Sequence, residues 1–576
     1  MIENMKEVNV VTKALVTKIG LLLLSVGLVA LISVASRPAS MHASGMPALT
    51  GRVIDPQGQP VRGARVVLYL NSNPESYTQE KSNHTGLFIL DLPDEPVHAI
   101  RLVVTHPHFE PFTWQADETD LMHLNQGAAI RVPDITLKRR LTAGFWIATL
   151  VFGGVLALII TERLHNTAAA LLGAATVVGL SLIGGAIGEE LFVLDFEQAI
   201  EYVNFEVIFL VLGMMIIVST IERTGIFQWM AYQAYRLSRG QIWLLAMILM
   251  LLTSVASALL DNVTTMLLVT PITIQIALTL GADPLSLLIP EMLASNVGGI
   301  STLIGTPNNI MIGSYAGIGF NDFLRNLTPG VLLVQAALTL YVILVYREQY
   351  RAASETDSQT LLTHLRENAR ITEPEILRKA GSVFIATLIL FVVGERIHLV
   401  PAVTAMIGAA VTLLVVHADM EEILRVVDWA TLLFFIALFM IVGAIQEVGL
   451  ISFIASGIHK LVAGNLLAAT LVTIWGTGFL CLLIPTIPLT AALLPVVGFL
   501  SQSIRGAGNN ILFYSLSMGS ALGANNSLIG ATNNMVTAGI AQRAGYPITY
   551  RRFIRVGFPA AVLTMFVGTL WVLIHF

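Results

Sequence analysis

Cysteine is almost absent: Cys481 is the single one in 576 residues. That excludes a disulfide framework and a cysteine-based metal site. Cys481 itself sits in an apolar run and reads as a small buried hydrophobe. Charge is scarce too. Asp, Glu, Lys and Arg make up 12% of the chain, about half of what soluble domains carry. The net charge of −5 comes with no basic patch large enough for a nucleic acid. What fills the space is apolar length. Apolar residues are 55% of the chain, mean hydropathy is +0.76, and many runs approach the roughly 20 residues that cross a lipid bilayer. The chain therefore reads as an all-α polytopic membrane protein.

The first stretch departs from this pattern. Lys6, Lys13 and Lys18 precede the apolar run at 19–35, so residues 1–36 read as a signal anchor or a signal peptide. Small residues follow (Ser36, Ala39, Ser40, Ala43, Ser44), which permits cleavage. Either way, the next segment is expected outside the cytoplasm. Residues 47–138 are polar, with short alternating runs such as VVLYL and turn signals every 8 to 12 residues or so, which predicts a small β-sandwich. The pattern from Gly51 to Val66, GRVIDPQGQPVRGARV, resembles the carboxypeptidase regulatory-like or Cna-B-like sandwich domains. That resemblance implies a binding or spacing module. Five histidines lie here: His84, His98, His106, His108 and His123. His106 and His108 would share one strand face, but no cysteine or clustered carboxylate completes a metal site.

Beyond 141 the chain is nearly all membrane. Continuous spans read as 143–161, 167–188, 204–222, 328–346, 380–394, 398–416, 429–447 and 557–575. Four apolar segments, 241–280, 285–316, 466–500 and 508–540, are too long for one crossing or are broken inside. A repeat organises them. The stretch from Val203 parallels the one from Val427 at an offset of 224, Pro271 and Pro495 keep it, and Gly305 and Gly530 lie 225 apart. This divides the chain into repeat 1 (141–346), a cytoplasmic linker (347–379) and repeat 2 (380–576). The linker 222–240 carries Arg223, Arg236 and Arg239, whereas its counterpart carries Lys460. The linker 541–556 carries Arg543, Arg551, Arg552 and Arg555, whereas its counterpart carries Arg325 beside Asp322. Positive charge marks the cytoplasmic side, so one half is upside down relative to the other. Each half then has five transmembrane helices and one re-entrant hairpin. The cluster Lys138-Arg139-Arg140 conflicts with this, since it falls on the outer side.

Inverted repeats with broken helices mark secondary transporters. The breaks here are SNVGGISTLIGTPNN (Ser295–Asn309) and GANNSLIGATNN (Gly523–Asn534). Non-helical backbone at membrane depth survives only when buried in protein or lining a wet cavity. Gly305 and Gly530 permit the break, and Asn308, Asn309, Asn533 and Asn534 supply amides that can ligate an ion or replace lost backbone partners. Ser301 and Thr302 line the first break, and Ser527 the second. The first hairpin turns at LLDNVTTMLL, where Asp261, Asn262, Thr264 and Thr265 gather a carboxylate, an amide and two hydroxyls. A buried Asp needs a cation, a proton or a basic partner, although Asp-Asn-Val-Thr also suits a helix N-cap. Glu291, before the first break, is a second buried acid and a candidate for proton coupling. The second tip has Thr486 and no acid, and Leu516 stands where Glu291 would be.

LLDNVTTMLLVTPITI followed by PEMLASNVGGISTLIGTPNNIMI resembles the citrate transporter-like permeases of the ion transporter superfamily, in particular the branch of arsenite permeases, NhaD-type antiporters and melanosomal P proteins. The resemblance covers about 141–576. It implies a scaffold and a mobile transport region, an elevator-type cycle and homodimers. Departures narrow it. The Ser-Asn-Thr tips of dicarboxylate carriers are absent, and the Gly-Asp-Pro-Pro-Asn of the arsenite and P-protein branch is Gly305-Thr306-Pro307-Asn308-Asn309 here, without its acid. The expectation is a multi-pass transporter of the cell (inner) membrane that moves a small anion coupled to H+ or Na+, with no other cofactor. Asn262, Thr265, Ser301, Thr302, Gly305, Asn308, Asn309, Thr486, Ser527, Gly530, Asn533 and Asn534 would bind substrate; Asp261 and Glu291 would couple the ion; a Na+ would sit at Asp261, Asn262 and Gly305. A Na+/H+ antiporter, or a conductance or sensor with the sandwich as ligand module, are the alternatives. No nucleophile, base and metal constellation points to an enzyme.

Overall fold

The computed structural model describes residues 48–576 apart from 57, 59, 72, 74, 94–96, 126–129, 162, 353–370 and 418–419. The apolar run at 19–35 and much of the 347–379 linker lie outside the described residues. The chain forms two compact units, one up to Arg139 and one from Arg140.

Among the described residues of the first unit, eight strands form two sheets. They are β1 (Ala48–Ile54), β2 (Arg65–Leu70), β3 (Thr78–Lys81), β4 (Leu87–Asp91), β5 (Ile100–Thr105), β6 (Phe112–Gln115), β7 (Ile130–Arg131) and β8 (Ile135–Thr136). One sheet runs β4-β1-β7 with β8 also on β1, and the other runs β3-β2-β5-β6. The alternation in β2 has the expected result: Val66, Leu68 and Leu70 are buried with Leu49, Val53, Leu90, Leu102 and Val104. Gly86 turns the chain into β4 at φ +76, a conformation that suits glycine. His106 and His108 do not share a strand face. β5 ends at Thr105, and a tight turn follows in which His106 Nδ1 accepts from the His108 N–H at 3.2 Å. Among the described residues no group of three His, Cys, Asp or Glu is placed to hold a metal.

The second unit is helical. Its first half contains α1 (Ala143–Ile160), α2 (Asn166–Ile187), α3 (Phe205–Glu222), α4 (Ile226–Ser238), α5 (Ile242–Leu259), α6 (Asn262–Thr279), α7 (Leu285–Gly298), α8 (Pro307–Ala316) and α9 (Phe320–Val345). Its second half repeats that order: α10 (Pro374–Gly394), α11 (Pro401–Val416), α12 (Trp429–Glu447), α13 (Leu450–Val462), α14 (Leu466–Leu480), α15 (Thr486–Ser503), α16 (Ile511–Gly523), α17 (Thr532–Arg543) and α18 (Tyr550–His575). Ten of these helices are long and apolar enough to cross a membrane. Three spans start earlier than hydropathy implies, at Phe320, Pro374 and Tyr550. Their first turns carry polar residues that a hydropathy window discounts, and Thr549 caps α18 by accepting from Arg552 N at 3.3 Å.

The halves pack reciprocally. α3 lies on α11 as α12 lies on α2; α6 lies on α17 as α15 lies on α8; and α9 and α18 pair with each other. This is a two-fold relation. The tip between α5 and α6 meets the break between α7 and α8, so it lies at the depth of a mid-helix break and the α5–α6 pair is re-entrant. Five crossings per half, an odd number, put the second half upside down. Prolines inside helices leave carbonyls to be satisfied elsewhere. Pro290 removes the N–H that would bond the Ser286 carbonyl, and the Tyr350 hydroxyl donates to it instead at 2.8 Å. Two members of the basic cluster have acidic neighbours: Arg139 lies 3.8 Å from Asp55, and Arg140 lies 3.5 Å from Glu190.

Candidate substrate and ion sites

The two breaks have the same construction. α7 ends in a 3-10 turn, Gly299–Ser301, and the chain extends at Thr302. α16 ends in Ala524–Asn526, and the chain extends at Ser527. The second asparagine of each motif then holds the break. Asn309 Nδ2 donates to the carbonyls of Gly299 (3.1 Å), Ile300 (3.2 Å) and Thr302 (2.8 Å), and its Oδ1 accepts from Ser517 Oγ at 2.6 Å. Asn534 Nδ2 donates to the carbonyls of Ala524 (3.0 Å) and Ser527 (3.2 Å), and its Oδ1 accepts from Asn296 at 3.3 Å. The glycine in each Leu-Ile-Gly is a close approach. A Cβ on Gly305 would lie 2.5 Å from the Gly299 carbonyl oxygen and 2.9 Å from that of Ser257. A Cβ on Gly530 would lie 2.8 Å from the Ala524 carbonyl oxygen.

The hairpin tips dock on these breaks. Asp261 is the N-cap of α6: its carboxylate accepts from the Thr264 N–H at 2.8 Å and from Thr264 Oγ1 at 2.5 Å. Asn262 accepts from Ser257 Oγ and donates to Asn296 Oδ1 at 3.2 Å. Asn296 donates in turn to Asn525 Oδ1 at 2.8 Å, so an amide chain joins the two halves. The Thr302 hydroxyl donates to the Ala258 carbonyl, and the Thr486 N–H donates to the Gly530 carbonyl at 3.1 Å.

A cavity of about 40 Å³ opens where the tips and breaks meet. Asn262, Asn296, Asn308, Thr486 and Asn533 line it, and no carboxylate does. Asn308 Oδ1 and Asn533 Nδ2 are buried without a hydrogen-bond partner. The first residues of four helices, Asn262 of α6, Pro307 of α8, Thr486 of α15 and Thr532 of α17, all border it. Helix N-termini carry partial positive charge and free N–H groups.

A second cavity of about 260 Å³ adjoins it, with Val263, Pro307, Ile487 and Thr532 in both linings. Its chemistry is opposite: Glu222, Asp261 and Asp428 face it. Asp428 caps α12 as Asp261 caps α6, accepting from Thr431 N at 3.1 Å and Thr431 Oγ1 at 2.5 Å. No ion pair joins any of the three to a basic residue among the described residues.

The sequence-derived set therefore divides. Asn262, Asn308, Thr486 and Asn533 line the small cavity, and Asp261 the acidic one. Thr302, Gly305, Asn309, Ser527, Gly530 and Asn534 build the breaks. Ser301 lines neither cavity; its carbonyl accepts from Thr328 Oγ1 at 2.9 Å. Thr265 is fully buried in α6 and lines neither. Glu291 also lies apart, with Oε1 accepting from Thr273 Oγ1 at 2.8 Å and Oε2 unpartnered. Sequence reasoning missed Asn296, Glu222 and Asp428. The repeat held a signal for the last, because the 224 offset pairs it with Asn204, which caps α3 by accepting from Val207 N at 3.3 Å.

The fold defines a class: a helical membrane transporter with an inverted repeat, paired hairpins and paired broken helices. The sequence model described as "Citrate transporter" matches residues 156–519, and the chain belongs to that family. A 46 kDa membrane protein of Mycobacterium leprae is 35% identical over 422 residues, 73% of this chain and 96% of that protein. The P protein of Homo sapiens is 33% identical over 506 residues, 74% of this chain and 59% of that longer protein. Among solved structures, the YdaH transporter of Alcanivorax borkumensis matches with a TM-score of 0.49 at 14% identity, covering 74% of this chain and 97% of that one.

Proposed function

We propose that this transporter is a secondary active carrier of a small anion, driven by H+ or Na+. One observation supports the reading above others: four helix N-termini border a 40 Å³ cavity that has neutral amides and no carboxylate in its lining. Such a site attracts an anion without a fixed cation. Its small size suits a small inorganic or short organic anion. The adjoining acidic cavity, with Glu222, Asp261 and Asp428, suits the driving cation. In this reading the hairpins and broken helices move together in an elevator cycle within a homodimer of the cell (inner) membrane. The sandwich stands outside the cytoplasm as a spacer or ligand module.

Asp261→Asn tests the coupling. Asparagine caps a helix about as well as aspartate, so the hairpin keeps its shape while the charge goes. Uptake in proteoliposomes is expected to lose its dependence on the cation gradient. Unchanged uptake with an unchanged pH dependence would end this role for Asp261. The same three carboxylates favour one alternative, a Na+/H+ antiporter that needs no anion.

A further inference from the structure

The acidic cavity has a counterpart at the other end of α3. A cavity of about 200 Å³ is lined by Glu206, Leu210, Leu303, Ile310, Gly313 and Ser314, among others. Both cavities border α3. The 200 Å³ cavity reaches its first turn at Glu206, and the acidic one its last residue, Glu222. Sixteen residues of helix span roughly 24 Å, and α3 is apolar enough to cross a membrane. The two cavities therefore approach each other from opposite ends of one helix.

What separates them is thin. Leu210 and Val211 are neighbours on α3, yet Leu210 faces one cavity and Val211 the other. Leu303 and Ile304 are neighbours in the first break and divide in the same way. Ile310 of α8 lines both. All five side chains are at most 7% exposed. The helical period accounts for the position of Ile310. Pro307, Ile310 and Ser314 fall on one face of α8: Pro307 lines the acidic cavity, Ile310 lines both, and Ser314 lines the other. Ser314 also ties that face to α3, accepting from Asn204 Nδ2 at 2.8 Å and donating to Glu206 Oε2 at 3.0 Å.

We infer that Leu210, Val211, Leu303, Ile304 and Ile310 form a one-layer apolar septum that prevents ions from leaking along α3 past the substrate site, with Ile310 as its central plug. A narrow apolar constriction excludes ions because it dewets and offers no ligand to replace their hydration. The septum lies between α3 and the hairpin–break assembly, so it must stay closed while that assembly carries its substrate. Its role does not depend on which ion is carried.

The test is a leak measurement with the full chain in liposomes in NaCl solution, under an imposed voltage and with no gradient of candidate substrates. Ile310→Ala removes three carbons from the plug and is expected to raise the leak by about tenfold or more; Ile310→Val is expected to stay near the native level. A well-folded Ile310→Ala protein that does not leak would overturn the inference. If that variant does not fold, Ile310→Cys keeps the test open. The only native thiol, Cys481, is fully buried. A membrane-impermeant thiol reagent is expected to modify the introduced thiol from either face; modification from one face alone, or from neither, would refute the septum.

Discussion

Replacing Asn309 with alanine should unfold the first break, and the size of the effect can be worked from its bonds. The amide carries two hydrogens shared among the carbonyls of Gly299, Ile300 and Thr302, and its oxygen takes the Ser517 hydroxyl. Alanine removes both N–H donors and the acceptor of the Ser517 hydroxyl, three bonds in all, at a fully buried position. At roughly 1 kcal/mol for each bond, the low end for buried groups and typical between membrane helices, the loss is about 3 kcal/mol. That is a large share of a total stability of about 5–15 kcal/mol. Asn534→Ala should cost a similar amount, because Asn534 holds Ala524, Ser527 and Asn296. Asn308→Ala should differ. Its Oδ1 has no partner, so stability should fall by less than about 1 kcal/mol while transport is lost. Thermal unfolding in detergent, beside flux in proteoliposomes, reads both quantities. If Asn308→Ala proved as unstable as Asn309→Ala, or Asn309→Ala kept full stability and lost only transport, the division of labour within each Asn-Asn pair would be wrong.

Gly305→Ala should displace the break from the first hairpin, since its Cβ would lie 2.5 Å from the Gly299 carbonyl oxygen; overpacking of that kind costs about 1–3 kcal/mol, and thermal unfolding should show it. The sandwich should weaken in acid. Burial, with the nearby charges of His108 and Arg139, lowers the His106 pKa from 6.5 to about 3. The unfolded segment therefore binds a proton that the folded one refuses, so stability is complete above pH 6.5 and falls as pH drops from there toward about 3. The slope is at most on the order of 1 kcal/mol per pH unit, since His106 is only partly shielded from solvent. Urea unfolding of the segment 47–139 at pH 7 and pH 5, followed by Trp114 fluorescence, should give a lower midpoint at pH 5, and equal midpoints would contradict the assignment.

The architecture was legible because it is written at long range in simple signals. Apolar length marks the spans, a constant offset marks the repeat, and loop arginines mark its inversion. Leu-Ile-Gly before each Asn-Asn pair marks the breaks, since only a residue without Cβ fits against the facing carbonyls. The roles inside the motif were less legible. Asn308 and Asn309 are chemically identical and adjacent, yet a turn of about 100° along the helix sends one to a cavity and the other to backbone carbonyls. Asn296 was missed for a related reason: its partners Asn525 and Asn534 lie in the other half, and composition does not record a contact between halves. Asp261 shows the converse. It caps α6, as one reading of the sequence has it, and its place in the lining of the acidic cavity could not be read from the local motif.

The most direct test of the central claim is flux in proteoliposomes under imposed Na+ and pH gradients, with a panel of anions that includes chloride, phosphate, arsenite and citrate. The account predicts accumulation of one small anion that requires a cation gradient and fails in Asn533→Ala, whose amide nitrogen is unpartnered beside the small cavity. Exchange of Na+ for H+ with no anion present, unaffected by Asn533→Ala, would contradict it.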